Sequence, residues 1–244
     1  MTRSPTTTPQ PGALRRLAVL ARFPLGLAVS TARYAWWARD VRRTEQEGDT
    51  TDLPPALTPE LLDEHVKTVD DGAGPLFHRL FRVRIRDVEV DAGRLVERLT
   101  ADLDRVAPSE VVSFRKQRGR LGELAVGDEY RVRMPAPWDG PVRVVDRTPT
   151  SFRFVTLAGH LEAGQIEFRA HDRPGGLVFE IETWSRPGDR AAHLAFDRLR
   201  VGKEIQLYMW SQFCLSVASV AGGHRDGPVT ADTRRLPWGA AGPR

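Results

Sequence analysis

Short runs of alternating apolar and polar residues follow one another and end in a single long apolar stretch. This pattern limits what the chain can fold into more than any other feature. Tyr130, Val132 and Met134 alternate with Arg131 and Arg133. Phe152 and Phe154 alternate with Arg153, Ile166 and Phe168 with Glu167. Leu177, Phe179 and Ile181 alternate with Val178, Glu180 and Glu182, after a Pro174-Gly175-Gly176 turn. Upstream, Phe77, Phe81, Val83 and Ile85 share one side of a segment, and His78, Leu80, Arg82, Arg84 and Arg86 the other. Period-two patterning with one wet face predicts half-buried strands. Weaker strands are expected over Val111–Arg118 and Arg120–Leu124. Asp91 to Val106 reads as a helix, with Leu95, Leu99 and Leu103 spaced by four.

The closing stretch, Arg190 to Ala221, holds Ile205, Leu207, Met209, Trp210, Phe213 and Val217 among other apolar residues. They occupy more than a narrow stripe, so much of such a helix must be covered. Strands in runs, without helices between them, predict an α+β fold: a curved antiparallel sheet gripping a long C-terminal helix. An arrangement of this kind leaves a cavity between sheet and helix, expected at about 300 Å3 or more.

The flanks are read from composition. Residues 1–12 are rich in Thr and Pro and predict a disordered N-terminus. Residues 13–44 predict an apolar, basic helical extension, bent near Pro24. Arg22 and Arg33 interrupt it, so it falls short of the roughly 20 apolar residues of a bilayer span. It also lacks the small-residue cleavage site of a signal peptide. Two readings stand. In one, the helix packs on the domain or on a second subunit. In the other it lies on a membrane surface, with Tyr34, Trp36 and Trp37 at headgroup depth and Arg39, Arg42 and Arg43 facing anionic lipid. Residues 45–73 predict a linker and a short helix capped by Thr58, with Pro59 at its first position. The main domain is expected over 74–223. The Gly- and Pro-rich residues 224–244 are expected to form a disordered tail.

The chain has a net charge of +4, but its basic residues never run longer than two and acids are interspersed. Nucleic-acid binding needs a clustered basic face, so no nucleic-acid partner is expected. Cys214 is the only cysteine, which excludes an internal disulfide and a multi-cysteine metal site. Its apolar neighbours mark it as a small core residue. No Gly-x-Ser-x-Gly, Walker A or Rossmann glycine pattern occurs. The expected location is the cytoplasm, peripheral to a membrane in the second reading of residues 13–43.

His160, Glu162 and Glu167 are the residues with chemistry in reach. A histidine and two carboxylates suit metal binding or acid–base work. Against that, Gly159 and Gly164 flank the segment and predict a turn, and Glu167 falls on the polar side of a strand. Lys203 and Gln206 interrupt the apolar helix. Either they project into the cavity to orient a polar group, or they lie on a solvated strip. Trp138 sits in a Trp138-Asp139-Gly140-Pro141 loop, as a gate to the cavity or a cap on the core edge.

Gly127-Asp128-Glu129, the strand Phe152 to Leu157, and Gly159-His160-Leu161-Glu162-Ala163-Gly164-Gln165-Ile166-Glu167-Phe168 resemble the DUF1990 family. The strand order resembles the wider START/Bet v 1-like (SRPBCC) helix-grip superfamily. The resemblance covers roughly 74–223. It implies a helix-grip fold with a central cavity and no particular reaction. Three functions are weighed. The first is a binding module for a hydrophobic or lipid-like small molecule, without metal or cofactor. Its expected lining is Phe81, Val83, Tyr130, Val132, Met134, Phe152, Phe154, Phe168, Phe179, Ile181, Met209 and Phe213. The second is an enzyme on a hydrophobic substrate using His160, Glu162 or Glu167. The third is a scaffold protein whose core is filled by its own side chains.

Overall fold

Apolar residues at every second position bury one face of each strand, and here they do so within a single eleven-stranded sheet. The computed structural model describes residues 41–107, 112–133, 139–188 and 201–237. The chain divides into two units, Met1–Ala38 and Arg39–Arg244, and all described residues belong to the second. The 13–40 part of the expected helical extension, Met134 and Trp138 lie outside them.

The elements follow in order. Strand β1 is Val41–Glu47, β2 Val66–Lys67 and β3 Leu76–Arg86. Helix α1 is Ala92–Ala101 and α2 Leu103–Val106. Strands β4 to β9 are Ser113–Arg118, Glu129–Arg133, Asp139–Thr148, Ser151–Leu157, Glu162–Arg173 and Gly176–Pro187. Helix α3 is Val201–Val220; β10 is His224–Arg225 and β11 Val229–Leu236. The sheet order is β1-β11-β3-β9-β8-β7-β6-β5-β4, with β10 on β3 and β2 on β7. β4 to β9 are a six-stranded antiparallel meander, and β3 extends it beside β9. β1 pairs with β11 in parallel, so the sheet is mixed.

The inner face carries Phe81, Val83, Phe152, Phe154, Phe168, Phe179 and Ile181, all essentially inaccessible to solvent. Helix α3 lies against it. Phe213 reaches Phe168 at 5.3 Å between ring centroids and Phe179 at 6.1 Å. Leu207, Met209, Trp210, Cys214 and Val217 of the same helix are buried too. A helix covered on so many sides needs apolar residues beyond one stripe. It ends in a Schellman turn: Gly222 takes a φ of +67° and the Gly223 N–H bonds the Ala218 carbonyl at 3.1 Å.

Several boundaries differ from the sequence reading. Of the expected tail, residues 224–236 carry β10 and β11, and residues 238–244 lie outside the described residues. Val229, Ala231, Thr233 and Leu236 are buried between neighbouring strands, and this alternation is too short and polar to stand out. Residues 41–44, placed in the helical extension, are strand β1, so that boundary falls inside a strand. Thr58 makes no side-chain cap; Pro59–Leu61 is one 3-10 turn rather than a helix. Residues 120–124 form turns and coil in place of a strand. Segment 48–75 packs on the outer face, where Val69, Leu76, Trp184 and Leu236 make a second small core with Leu53. Among the described residues no helix is long and apolar enough to cross a membrane.

Candidate functional site

Four features of the Gly159–Gly164 segment direct its chemistry inward. Gly159 takes a φ of +93°, and the His160 N–H bonds the Leu157 carbonyl at 3.0 Å. This reverses the chain between β7 and β8. His160 then folds onto its own strand: Nδ1 accepts the Glu162 backbone N–H at 2.9 Å. The ring proton therefore sits on Nε2. Glu162 opens β8 in phase with Gly164, Ile166 and Phe168, on the inner face. Gly164 lets β9 come close, since a Cβ there would stand 1.9 Å from the Trp184 carbonyl oxygen.

Glu162 meets Gln206 of α3. Gln206 Nε2 donates to Glu162 Oε2 at 2.5 Å, and Arg79 Nη1 of β3 donates to Gln206 Oε1. An arginine offers only donors, so it fixes which end of the amide faces the carboxyl. The Ser185 side chain bonds Glu162 as well. Burial pushes the Glu162 carboxyl up to about 7, against the opposing pull of Arg79, Ser185 and Gln206. Burial also pushes His160 down to about 4, opposed by the Glu162 backbone carbonyl, 3.2 Å from Nδ1, and aided by the Lys67 charge. Lys67 Nζ donates to the His160 carbonyl at 3.0 Å. At neutral pH the imidazole is uncharged and the carboxyl is near its midpoint.

A cavity of about 60 Å3 opens beside this group. His160, Glu162, Thr183, Ser185 and Gln206 form its polar end. Phe114, Val132, Phe154, Phe168, Met209 and Trp210 form the rest of its wall. It is partly open and far below the expected 300 Å3. Aromatic packing explains the shortfall: Phe152 stacks on Phe168 at 4.8 Å, and Trp210 meets Phe168 at 5.6 Å. At roughly 10–15 Å3 for each water-sized site, the space admits a few heavy atoms. Thr183 Oγ1 and Trp210 Nε1, on lining residues, have no hydrogen-bond partner among the described residues.

The structure thus brings His160 and Glu162 together and separates Glu167. Glu167 stands on the outer face, opposite Glu182 on one side and Arg153 on the other. Of the expected lining, Val132, Phe154, Phe168 and Met209 border the cavity. Phe81, Val83, Tyr130, Phe152, Phe179, Ile181 and Phe213 are buried without bordering it. Gln206 projects inward, the first of its two readings. Arg79 escaped the sequence reading. Its signal was phase: it lies between Phe77 and Phe81 on the apolar side of β3. Among the described residues no three His, Cys, Asp or Glu side chains are placed to hold a metal ion.

The family model described as a domain of unknown function, DUF1990, matches residues 63–214. The chain belongs to the DUF1990 family. The match spans the second half of the segment on the outer face, β3, the whole meander and most of α3. No curated protein matches the chain. Among solved structures, protein Ms6760 from Mycobacterium smegmatis is 14% identical at a TM-score of 0.40, over 65% of this chain and 95% of that one. Major latex-like protein 151 from Panax ginseng is 18% identical at 0.35, over 55% and 98%. The di-domain ARO/CYC StfQ from the steffimycin biosynthetic pathway is 9% identical at 0.44, over 63% and 52%. Likenesses this remote say nothing of ligand or reaction.

Proposed function

We propose that this DUF1990 chain is a binding module for a small amphipathic molecule, held between the inner sheet face and α3. The observation that supports this reading is a fixed polar end in an otherwise apolar cavity. Arg79 orients Gln206, Gln206 orients Glu162, and an aromatic and aliphatic wall faces them. Apolar walls with a few placed polar groups are the usual make-up of a ligand site. The ligand's polar group would meet Glu162 and Gln206. At about 60 Å3 the cavity takes one end of such a molecule, and a lipid-sized ligand requires the wall to part.

A second reading, acid–base catalysis by Glu162, is favoured by one observation: its carboxyl titrates near neutrality. Catalysis would use Glu162 to move a proton, with neutral His160 as a hydrogen-bond donor. Native mass spectrometry of the purified full chain, followed by extraction, tests the first reading. A small-molecule adduct is expected, and Met209→Trp should displace it by filling the cavity. A spectrum with no adduct, and an extract without small molecules, would instead favour the filled-core scaffold.

A further inference from the structure

Residues 112–133 carry six basic and three acidic side chains, and the β4–β5 hairpin sorts them by face. Phe114, Lys116, Tyr130 and Val132 point inward, where Phe114 packs against Phe154. Arg115 and Arg131 stand directly opposite each other on the outer face, followed by Arg133; Glu129 shares that face, paired with Arg143 at 2.8 Å and 4.0 Å from Arg118, so the arginines still outnumber the acid. β4 is also the last strand at its edge of the sheet.

The loop joining the two strands has a built support. Lys116 is almost wholly buried, and its ammonium bonds the Asp128 carboxylate at 2.7 Å. It also bonds the Glu123 carbonyl at 2.5 Å and the Arg120 carbonyl. All three of its donors are used, and the Asp128 carboxylate in turn accepts the Ala125 N–H. Carbonyls on both sides of Leu121 are thereby held inward, and the side chain is held out. Leu121 is 87% exposed and Val126 49%. Among the described residues the only other exposed large hydrophobic is Leu62. Arg118 and Arg120, both exposed, flank the tip.

We propose that the β4–β5 tip docks on an anionic lipid bilayer. Leu121 and Val126 enter the boundary between headgroups and acyl chains. Arg115, Arg118, Arg120 and Arg133 meet the lipid phosphates. Charge complementarity selects an anionic partner. The presented leucine selects lipid over nucleic acid, because burial in hydrocarbon rewards it and a phosphate backbone does not. The proposal rests on the hairpin alone and is independent of any ligand in the cavity. Phe114 and Val132 place that cavity on the inner side of the same two strands.

The test uses the full chain carrying Leu121→Cys with an environment-sensitive fluorophore. Cys214 is buried and does not compete for the label. A second preparation carries the label at Arg84→Cys, on exposed β3. Vesicles of three parts phosphatidylcholine to one part phosphatidylglycerol should blue-shift the label at 121 and leave the label at 84 unchanged. Vesicles of phosphatidylcholine alone should give little shift, and raising salt from about 0.05 to 0.5 M should weaken the response. Arg118→Glu with Arg120→Glu should lower the apparent partition coefficient by about tenfold or more, with circular dichroism showing the variant folded at the assay temperature. No shift at 121, an equal shift at 84, or indifference to salt overturns the proposal. An equal response to duplex DNA overturns it in favour of nucleic acid.

Discussion

Glu162 and His160 depend on pH in opposite senses, and each hides the other. The Glu162 carboxyl rises from 4.5 to about 7 on folding. Its contribution to stability is complete below pH 4.5 and is lost as pH rises through 7. His160 falls from 6.5 to about 4. Its contribution is complete above pH 6.5 and is lost as pH falls through 4. At about 1.4 kcal/mol per pH unit each effect reaches at most about 3 kcal/mol, and partial exposure to the cavity reduces it. Between pH 4.5 and 6.5 the two slopes cancel. Glu162→Gln keeps the shape and removes the titration. Its melting temperature at pH 8 should exceed that of the wild type by about 3–8 °C. Its stability should also rise visibly from pH 4.5 to 6.5. Calorimetry across that range checks both. Identical pH profiles for wild type and variant would show that the carboxyl is not held in a costly environment.

At the scale of elements, the polar face of the sheet does as much fixing as the apolar one. His78 of β3 bonds Asp52 at 2.8 Å through Nδ1 and Glu182 of β9 at 2.6 Å through Nε2, and stacks on Trp184 at 5.4 Å. Asp52 closes a capping box with Asp49, so this histidine clamps the turn after β1 to the sheet. Burial opposes charging of His78, but the bonds to Glu182 and Asp52 outweigh it and raise its pKa. The clamp's contribution is complete below pH 6.5 and is lost as pH rises through the raised value. His78→Ala should cost about 2–4 kcal/mol at pH 6 and clearly less at pH 9, measured by urea unfolding at both. An equal loss at the two values would make the contact one of packing. The sequence reading placed His78 on a wet face, because period two tells face from face and not what covers a face. The meander was legible for the same reason: Phe152, Phe154, Ile166, Phe168, Phe179 and Ile181 alternate without ambiguity. Gly159 likewise marked the turn that aims Glu162, whereas Gly164, read as the turn's far flank, lies within β8. Strands β1 and β11 were not legible, since Arg42, Arg43, Thr230 and Asp232 leave little apolar contrast. Arg79 was missed, despite its apolar phase, because its partner Gln206 lies 127 residues on, and Ser185 because its partner Glu162 sits on the neighbouring strand.

At the scale of the molecule, the two ends of the described chain meet inside the sheet. β11 lies between β1, from near the start, and β3, with Thr230 to Leu236 running against Arg82 to Leu76. β1 has β11 as its only strand neighbour among the described residues. Removing β11 therefore leaves β3 with its outer partner gone and β1 with none. Val229 and Leu236 are completely buried, and each contributes about 1.5–3 kcal/mol through burial alone. Leu236 also completes the outer core of Val69, Leu76 and Trp184. A chain ending at Pro228 should lose at least about 4 kcal/mol, a fall in melting temperature of about 10 °C or more. Leu236→Ala, a gentler probe of the same strand, should cost about 2–5 kcal/mol. Circular dichroism melts of both variants give the measurement. A disordered tail, the reading that composition alone favours, requires that neither change matter. Joining remote ends also has a kinetic consequence. The β1–β11–β3 set can form only after nearly the whole chain is made and the meander is in place, because closing so long a loop is entropically costly until β3 is fixed. Protection of Thr230–Leu236 amides in a refolding time course should therefore lag behind that of β7, β8 and β9, and simultaneous protection would show that the sheet assembles from its ends as readily as from its meander.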